Sequence, residues 1–359
     1  MASIGLALSW SCGKAPRSVP GSGADQANLI EPTVAVDIIG KAWIGDPPID
    51  NPTAGSLLSG GRIFVADAGG LSLRMFSEKG ALLKNIGREG GGPGEFRSLP
   101  WVRQCAPDSL FVWDPILGRV SVFDADGRYA REFRLPGRPG IVECSTQGVV
   151  AMIMQPENLR RPDPHGNAPR FQAPMQLLGT KGTTLADLGE VMAFENRPGG
   201  KRTRIAVGAD RVYIGTQDSA YVQQLSRDGH TLSVLPIGVA GRKTTPESYE
   251  HAIGLLARQL VVTSEREAYR QSMLKIPMPD HLPPYFELFA DTAGTLWAQT
   301  SVPGDGTTEF ARTTADGRSL PTIRIPKEIR VFEVGTDYLL GAFEDDSDTP
   351  HVVLYRFSP

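Results

Sequence analysis

The stretch RIFVADAGGLSLRMFSEKGALL, residues 62–83, decides the fold because the chain repeats its pattern. Two further copies are SLFVWDPILGRVSVFDADGRYA at residues 109–130 and RVYIGTQDSAYVQQLSRDGHTL at residues 211–232. All three align without a gap, and each has an apolar run that ends at a polar residue, then a large apolar residue, then a turn glycine. These positions are Asp67, Phe76 and Gly80; Asp114, Phe123 and Gly127; and Thr216, Leu225 and Gly229. A pattern that recurs in register indicates a repeated structural unit.

Each copy is predicted to form short strands joined by turns. RIFVAD and SLFVWD are rich in β-forming residues, and LSLRMF alternates apolar and polar residues. EKG, ADG and RDG are typical of hairpin turns in which glycine adopts a positive φ. Weaker copies at residues 148–188, 294–323 and 337–357 bring the number of units to six. Because a unit of about 45 residues with four strands is typical of a propeller blade, the sequence predicts an all-β, six-bladed β-propeller.

The two ends of the chain are expected to meet in the last blade. The last predicted unit reaches the final residue, Pro359, before a fourth strand. TVAVDIIGKAW, residues 33–43, is a predicted strand without a unit of its own. We expect it to become the outer strand of the last blade, which would leave no open edge in the ring. The predicted organisation is a leader and flexible tether at residues 1–29 and the propeller at residues 30–359.

Residues 244–275 interrupt the β pattern and predict a helical hairpin inserted between blades four and five. Thr244 and Glu247 form a capping box, as do Ser264 and Glu267 further along. One helical face carries the apolar residues Tyr249, Ile253, Leu256 and Leu260. We expect this face to pack on the propeller; the alternative is a lid or a partner-binding element.

The glycine-rich stretch IGREGGGPGEF, residues 86–96, raises the question of a phosphate-binding loop. A dinucleotide fingerprint needs a third glycine where this chain has Glu95, and a P-loop needs a lysine after its last glycine. Pro100 follows in a segment without helical periodicity, so no helix N-terminus is available to an anion. The stretch is therefore predicted to be a connector between blades one and two.

These motifs resemble a known group of proteins. IGREGGGPGEF followed by VWD and RVSVFDADG is similar to bacterial six-bladed propellers with NHL-like repeats, a TolB-like group. LPPYFELFADTAGTLWAQ, from residue 282, and DYLLGAFEDDSDTPHVVLYRF, from residue 337, resemble its C-terminal part. The resemblance implies a propeller that is secreted or lipid-anchored, and it implies no particular activity. It also implies a structural clasp between Asp114 and Arg119, whereas Ser72 and Tyr221 replace the arginine in other units.

The N-terminal stretch MASIGLALSWSC resembles the end of a bacterial lipoprotein signal, with Cys12 as the lipidated residue. We therefore expect a periplasmic or surface lipoprotein of the cell envelope, held to the membrane by its lipid alone, or alternatively a secreted protein. Cys105 and Cys144 are too few to predict either a disulfide framework or a metal site, and their pairing stays open.

Composition narrows the range of partners. The net charge is −3 and the pI is about 6.0, so nucleic acid is not an expected partner. No apolar run approaches the length of a membrane-spanning helix. The expected partner is a protein or an anionic small molecule or glycan, and the propeller is expected to be a monomer.

The sequence contains no familiar catalytic motif, since GxSxG, HExxH and CxxC are all absent. The five histidines do not share a blade position, which argues against a histidine cluster. The prediction is therefore a binding module without catalytic activity and without a cofactor. The alternative is a metal-dependent hydrolase or lyase, lactonase-like, with calcium at a channel mouth near Asp67, Asp114 and His281.

The links between blades provide a candidate ligand face. In a four-stranded antiparallel blade, these links lie on the same face as the turn between strands two and three. Basic residues outnumber acidic ones there, which suits an anionic ligand or partner. The candidate residues are Arg88, Arg97, Arg138, Arg202, Arg242, Lys243 and His281.

Overall fold

The structure is a computed structural model that describes most of the chain. The described residues are 29–30, 34–37, 49–137, 139–145, 149–154, 170–195, 197–208, 210–237, 239, 241–258, 263–302, 304–325, 327–345 and 349–357. The lipidation candidate Cys12 and the candidate Arg138 lie outside these residues. No helix in the described part is long and apolar enough to cross a membrane.

The strands come in groups of four after two short N-terminal strands, β1 (Leu29–Ile30) and β2 (Val34–Asp37). The first two groups are β3 (Pro52–Leu57), β4 (Arg62–Asp67), β5 (Ser72–Ser77), β6 (Leu82–Ile86), and β7 (Trp101–Ala106), β8 (Ser109–Asp114), β9 (Arg119–Asp124), β10 (Tyr129–Phe133). The third and fourth are β11 (Pro139–Cys144), β12 (Val149–Met154), β13 (Arg170–Gly179), β14 (Thr184–Glu195), and β15 (Arg204–Val207), β16 (Arg211–Gly215), β17 (Tyr221–Ser226), β18 (Thr231–Pro236).

Two helices, α1 (Pro246–Arg258) and α2 (Thr263–Met273), follow β18 in the chain. A fifth group of strands comes next: β19 (Glu287–Ala290), β20 (Leu296–Gln299), β21 (Thr308–Thr313) and β22 (Ser319–Ile325). The last three strands are β23 (Arg330–Val334), β24 (Tyr338–Glu344) and β25 (Pro350–Arg356).

The predicted all-β propeller fold is confirmed. Five antiparallel blades, not six, are each built from four consecutive strands, and β1 adds to the outer edge of β22 in parallel. The last three strands lack a consecutive fourth strand, and their sheet has the order β2-β25-β24-β23. In that sheet β2 is antiparallel to β25, with Val34 opposite Arg356.

The first strands of the sheets lie next to one another around a central channel. β3 is beside β7, β7 beside β11, β11 beside β15, and β15 beside β19, while β23 contacts both β19 and β3. Apolar clusters fill the spaces between adjacent sheets. The propeller therefore has a series of inter-sheet cores around its channel, rather than one central core.

The turn glycines adopt the conformation that the repeats predict. Gly80, Gly127, Gly182, Gly229 and Gly317 all have a positive φ, in the turns before the fourth strands. A Cβ on Gly127 would also lie 2.2 Å from the Ile86 side chain of the preceding blade. Glycine is therefore required there for both the backbone conformation and the packing.

The glycine-rich stretch is a connector, as predicted, between β6 and β7. Its chain folds back on itself, because the Gly90 amide donates to the Phe96 carbonyl and the Phe96 amide donates to the Arg88 carbonyl. Phe96 is fully buried, and a Cβ on Gly87 would lie 2.3 Å from its ring. The glycines thus allow the chain to return to the channel while a phenylalanine anchors it.

The first helix begins one residue later than the capping pattern predicts. Thr245, rather than Thr244, is the cap: the Ser248 amide donates to Thr245 Oγ1 at 3.2 Å, and the Thr245 amide donates to Ser248 Oγ at 3.1 Å. Thr244 is instead buried, and its amide donates to the Asp280 carbonyl. The predicted apolar face is buried at Tyr249 and Ile253 and half-buried at Leu256, while Leu260 lies outside the described residues.

Candidate functional site

The channel has two ends that differ in chemistry. The links between blades lead to the residues at which the first strands begin, and we call this end the connector mouth. Arg204 begins β15 and Glu287 begins β19, so both lie at this mouth. They form an ion pair of 2.8 Å between Arg204 Nη2 and Glu287 Oε1, and Arg204 Nε donates to the Phe286 carbonyl at 2.7 Å.

Arg202 provides a second guanidinium group at the connector mouth. Burial lowers the pKa of Arg202, and repulsion from Arg204 lowers it further, while Glu287 and Tyr269 of α2 act in the opposite direction. The Arg202 amide donates to Gln217 Oε1 at 2.6 Å, which fixes the backbone beside the channel. Glu287 therefore acts on both arginines, as the ion-pair partner of Arg204 and through electrostatic attraction of Arg202.

Further charged residues at this mouth are also more often basic than acidic. Asp218 is paired with both Arg170, at 2.5 Å, and Lys201, at 3.3 Å. Tyr285, whose pKa burial raises to about 12, is influenced by Asp218, Arg170 and Arg204 together. We define the mouth cluster as Arg170, Lys201, Arg202, Arg204, Asp218 and Glu287. It contains four basic and two acidic side chains.

The segment that carries α1 and α2 begins and ends near the mouth cluster. An antiparallel bridge between Lys243 and His281 joins the two ends of this segment and brings these two exposed residues together. The link that carries Arg202 packs beside these ends, because a Cβ on Gly199 would meet Pro279 at 3.6 Å. The two ends therefore add one lysine and one histidine to the edge of the same region.

Only some of the residues of the predicted ligand face lie near the connector mouth. Arg202, Lys243 and His281 lie in the region of the connector mouth. Arg88, with a side chain 80% exposed, is paired with Glu95 at 2.8 Å. Arg242 is paired with Asp305 at 3.7 Å, and Arg97 is exposed, its amide donating to Asp114.

Sequence reasoning missed Arg170, Arg204 and Glu287. Arg204 and Glu287 are the first residues of first strands, and Arg170 is the first residue of β13. The apolar patterns that mark the repeats do not include these starting positions. A comparison of the residue that begins each innermost strand would have found Arg204 and Glu287.

Asp67 and Asp114 are structural capping residues in this fold. They are 0% and 1% exposed. Asp67 Oδ1 accepts hydrogen bonds from the amides of Asp50, Asn51 and Gly70, and Asp67 Oδ2 is paired with Arg74 at 3.3 Å.

The clasp expected between Asp114 and Arg119 is replaced by a different contact. The Arg119 guanidinium forms its ion pair with Glu132 at 2.7 Å. It also donates to the Glu95 carbonyl at 3.2 Å and to the Gly92 carbonyl. Because Arg119 reaches across to the preceding connector, it holds the glycine-rich stretch in place.

In the residues that the structure describes, no three His, Cys, Asp or Glu side chains are grouped so that they could hold a metal ion.

Cys105 and Cys144 form a disulfide, which settles the pairing that the sequence left open. Cys105 lies in β7 and Cys144 ends β11, so the bond joins the innermost strands of adjacent blades. Both residues are buried.

Solved structures with a similar fold include bacterial proteins, one of which is named as exported. A Bacteroides fragilis protein named as exported has a TM-score of 0.53 at 14% identity, over 92% of this chain and 99% of that one. A DUF4221 member of Bacteroides vulgatus has a TM-score of 0.54 at 11% identity, over 90% and 96%. A gluconolactonase of Xanthomonas campestris has a TM-score of 0.45 at 13% identity, over 90% and 89%. At these identities the likeness concerns the fold alone. No protein-family model and no curated protein matches the sequence.

Proposed function

We propose that this protein is an exported binding propeller, without catalytic activity, that holds an anionic group at the connector mouth of its channel. The observation that carries the proposal is the mouth cluster, in which Glu287 is paired with Arg204 and also acts electrostatically on Arg202. An anion placed between the two guanidinium groups would remove their mutual repulsion. The anionic group can belong to a small molecule, to a glycan or to a protein partner.

The chemistry of the mouth suits an oxyanion such as a carboxylate or a phosphate. Guanidinium groups bind such anions through two parallel N–H donors. Partial burial strengthens the attraction relative to an exposed surface, because the charges are less screened there. The influence of Tyr269 on Arg202 supports a position of α2 beside the mouth, where it could flank a ligand.

Export is supported by the disulfide between Cys105 and Cys144. Buried disulfides of this kind persist in oxidising compartments and are rare in the cytosol. The B. fragilis neighbour is also named as exported, and we extend that location to this chain. We further propose that Cys12 carries a lipid, with secretion as the alternative.

We also propose that the ring is completed by a sixth blade, made of β23, β24, β25 and β2. This proposal is supported by the contacts of β23 with both β19 and β3, and by the pairing of β2 with β25. The helices between β18 and β19 would then be an insertion between blades four and five, as in an NHL-like propeller with one additional element. A calcium-dependent hydrolase is not part of the proposal, because Asp67 and Asp114 each use their oxygens to hold several backbone amides.

Melting experiments with small anions test the proposal. Inorganic phosphate, citrate and succinate are added to the protein at constant ionic strength, and the melting temperature is measured. A ligand at a hundredfold its Kd should add about 2.7 kcal/mol of stability. We expect at least one anion to raise the melting temperature of the native protein and of Arg88→Gln, the matched control, but not of Arg202→Gln. Equal shifts in both variants, or no shift with any anion, would contradict an anion site at the connector mouth.

A further inference from the structure

The opposite end of the channel contains a cavity of about 110 Å³. Its wall includes residues from the first strands of all the sheets, mostly at or near the ends of those strands: Leu57, Gln104, Cys144, Val207, Ala290 and Val334. The first strands begin at the connector mouth, so this cavity lies at the other end of the channel. It is therefore a second site, at the other end of the channel from the mouth cluster, although Glu287 of that cluster contributes to the raised pKa of the Glu143 carboxyl group.

Three carboxylates and one guanidinium group are among the groups that line the cavity, namely those of Glu143, Glu333, Asp291 and Arg103. Glu143 pairs with Arg103 through two contacts, Nε to Oε2 at 3.2 Å and Nη2 to Oε1 at 3.3 Å. The Glu143 side chain keeps 26% of its surface exposed. Glu333 accepts hydrogen bonds from the Leu57 amide at 3.1 Å, from the Tyr338 hydroxyl and from the Ser56 hydroxyl. All the donors to Glu333 are neutral, so its negative charge is not balanced by these contacts.

The charge of the lining is negative overall. Among the described residues that line the cavity, Arg103 is the only basic one, whereas Glu143, Asp291 and Glu333 are acidic. Asp291 is buried, and its oxygens accept from the amides of Ala293 and Thr295 and from the Trp297 indole, so it acts structurally. The cavity therefore favours a cation over a neutral or anionic ligand.

The lining also has the features of an organic-cation site rather than a metal site. The lining includes the aromatic residues Phe289, Phe332 and Tyr338 and the aliphatic residues Leu57, Val207 and Leu288. Ammonium groups are attracted to aromatic faces as well as to carboxylates. By contrast, the carboxylates are not gathered into a group that could hold a metal ion anywhere in the described residues.

We propose that this cavity binds the ammonium group of a small primary amine. The ammonium would lie near Glu143 and Glu333, and a short aliphatic body would contact the apolar wall. A cavity of about 150 Å³ is enough for benzene, so the part of the ligand inside this cavity has about four to six non-hydrogen atoms. Arg356 lies 5.3 Å from the centre of the Tyr338 ring, but it is paired with Glu78 and Asp337 and does not oppose the ammonium.

Calorimetric titration of the protein with n-butylammonium chloride tests this proposal. Butan-1-ol and butyrate are the neutral and anionic controls of the same length. We expect the amine to bind and both controls to bind at least about tenfold more weakly, which is a difference of about 1.4 kcal/mol. Equal binding of butan-1-ol, or no binding of the amine, would overturn the proposal.

Substitutions of the cavity carboxylates test whether the amine binds in the cavity. Glu333→Gln and Glu143→Gln should each weaken butylammonium binding at least about tenfold. Glu309→Gln is the matched control, because Glu309 is also paired with an arginine, Arg324, on an outer strand; it should bind as the native protein does. Unchanged binding in both cavity variants would place the amine elsewhere and overturn the proposal.

The native protein provides a second test that does not depend on the folding of a variant. As the pH falls, protonation of Glu143, whose pKa burial raises, should weaken butylammonium binding, whereas the amine itself stays charged. An affinity that stays constant through the titration of Glu143 would also overturn the proposal. Arg202→Gln should leave amine binding unchanged, since the mouth cluster lies at the other end of the channel.

Discussion

The carboxylate of Asp114 holds together two parts of the chain that the sequence separates. Its Oδ2 accepts from the amides of Arg97 and Ser98, at the end of the glycine-rich connector. Its Oδ1 accepts from the amides of Ile116 and Leu117, in the turn that follows β8. One buried side chain therefore fixes both the arrival of the connector and the turn beside it.

Asp114→Ala should lower the free energy of unfolding by about 3 kcal/mol or more, because several amides would lose their acceptor. Urea denaturation measures this loss. Asp126→Ala is the control, since Asp126 is 49% exposed in its side chain and pairs with Arg62 and Arg128 at the surface. It should cost less than about 1 kcal/mol. Equal losses in the two variants would show that Asp114 does not cap these segments.

Glu143 should make stability depend on pH. Burial raises the pKa of Glu143 from its ordinary value of 4.5, and Arg103 opposes this rise. With the pKa higher in the folded state, the folded protein holds more protons than the unfolded one. Stability therefore falls as the pH rises from the ordinary value through the raised value. Relative to Glu143→Gln, the native protein should lose free energy of unfolding over that range in urea denaturation. If the free energy of unfolding of the two proteins changed with pH in the same way, the raised pKa of Glu143 would be contradicted.

Individual site residues were only partly predictable. Arg202, Lys243 and His281 could be named because they lie in links between predicted strands. The importance of Arg204 and Glu287 depends on which strands line the channel and on how adjacent blades face each other. Sequence periodicity within one blade contains no information about that contact, so the ion pair emerged only from the fold.

At the scale of elements, strands and turns followed closely from local patterns. RIFVAD and SLFVWD are β4 and β8 as predicted, since apolar runs ending in aspartate suit a buried strand followed by a turn. α1 begins one residue later than predicted, because either Thr244 or Thr245 could serve as its N-cap. The hydrogen bond from the Thr244 amide to the Asp280 carbonyl, a tertiary contact, keeps Thr244 outside the helix.

The disulfide joins the innermost strands β7 and β11 and should contribute strongly to stability. It closes a loop with a sequence separation of 39 residues. In the chain-entropy model, a loop of this length corresponds to about 4 kcal/mol. The double variant with Cys105→Ala and Cys144→Ala should lose free energy of unfolding on that order in urea denaturation. Addition of a thiol reductant should destabilise the native protein but not the double variant. An unchanged unfolding midpoint in both experiments would contradict the disulfide.

For the whole molecule, the sequence predicted the propeller because its repeats keep a constant register. The proposed closure of the ring is harder to predict, since it depends on strands from opposite ends of the chain. β2 pairs with β25 through four residue pairs, Val34 to Asp37 against Arg356 to Val353. A local pattern identifies β2 as a strand, but only the assembled sheets show which edge it covers.

Truncation tests whether the N-terminal strand closes the ring. Removal of residues 1–37 takes away β2 and exposes the edge of β25, so we expect lower stability and concentration-dependent self-association. Removal of residues 1–33 takes away β1 but retains β2, and it is the control. The melting temperature and the mass in solution measure the two effects. Identical behaviour of the two truncated proteins would contradict closure by β2.

We propose that Arg202 and its neighbours bind an anion at the connector mouth. Calorimetric titration of the native protein and of Arg202→Gln, with the anion that stabilises the native protein most, tests this proposal. We expect an affinity that decreases as salt is added, because the binding is between charges. We also expect that Arg202→Gln binds at least about tenfold more weakly, a difference of about 1.4 kcal/mol. The same affinity in both proteins would contradict the proposal and place the anion away from the mouth cluster.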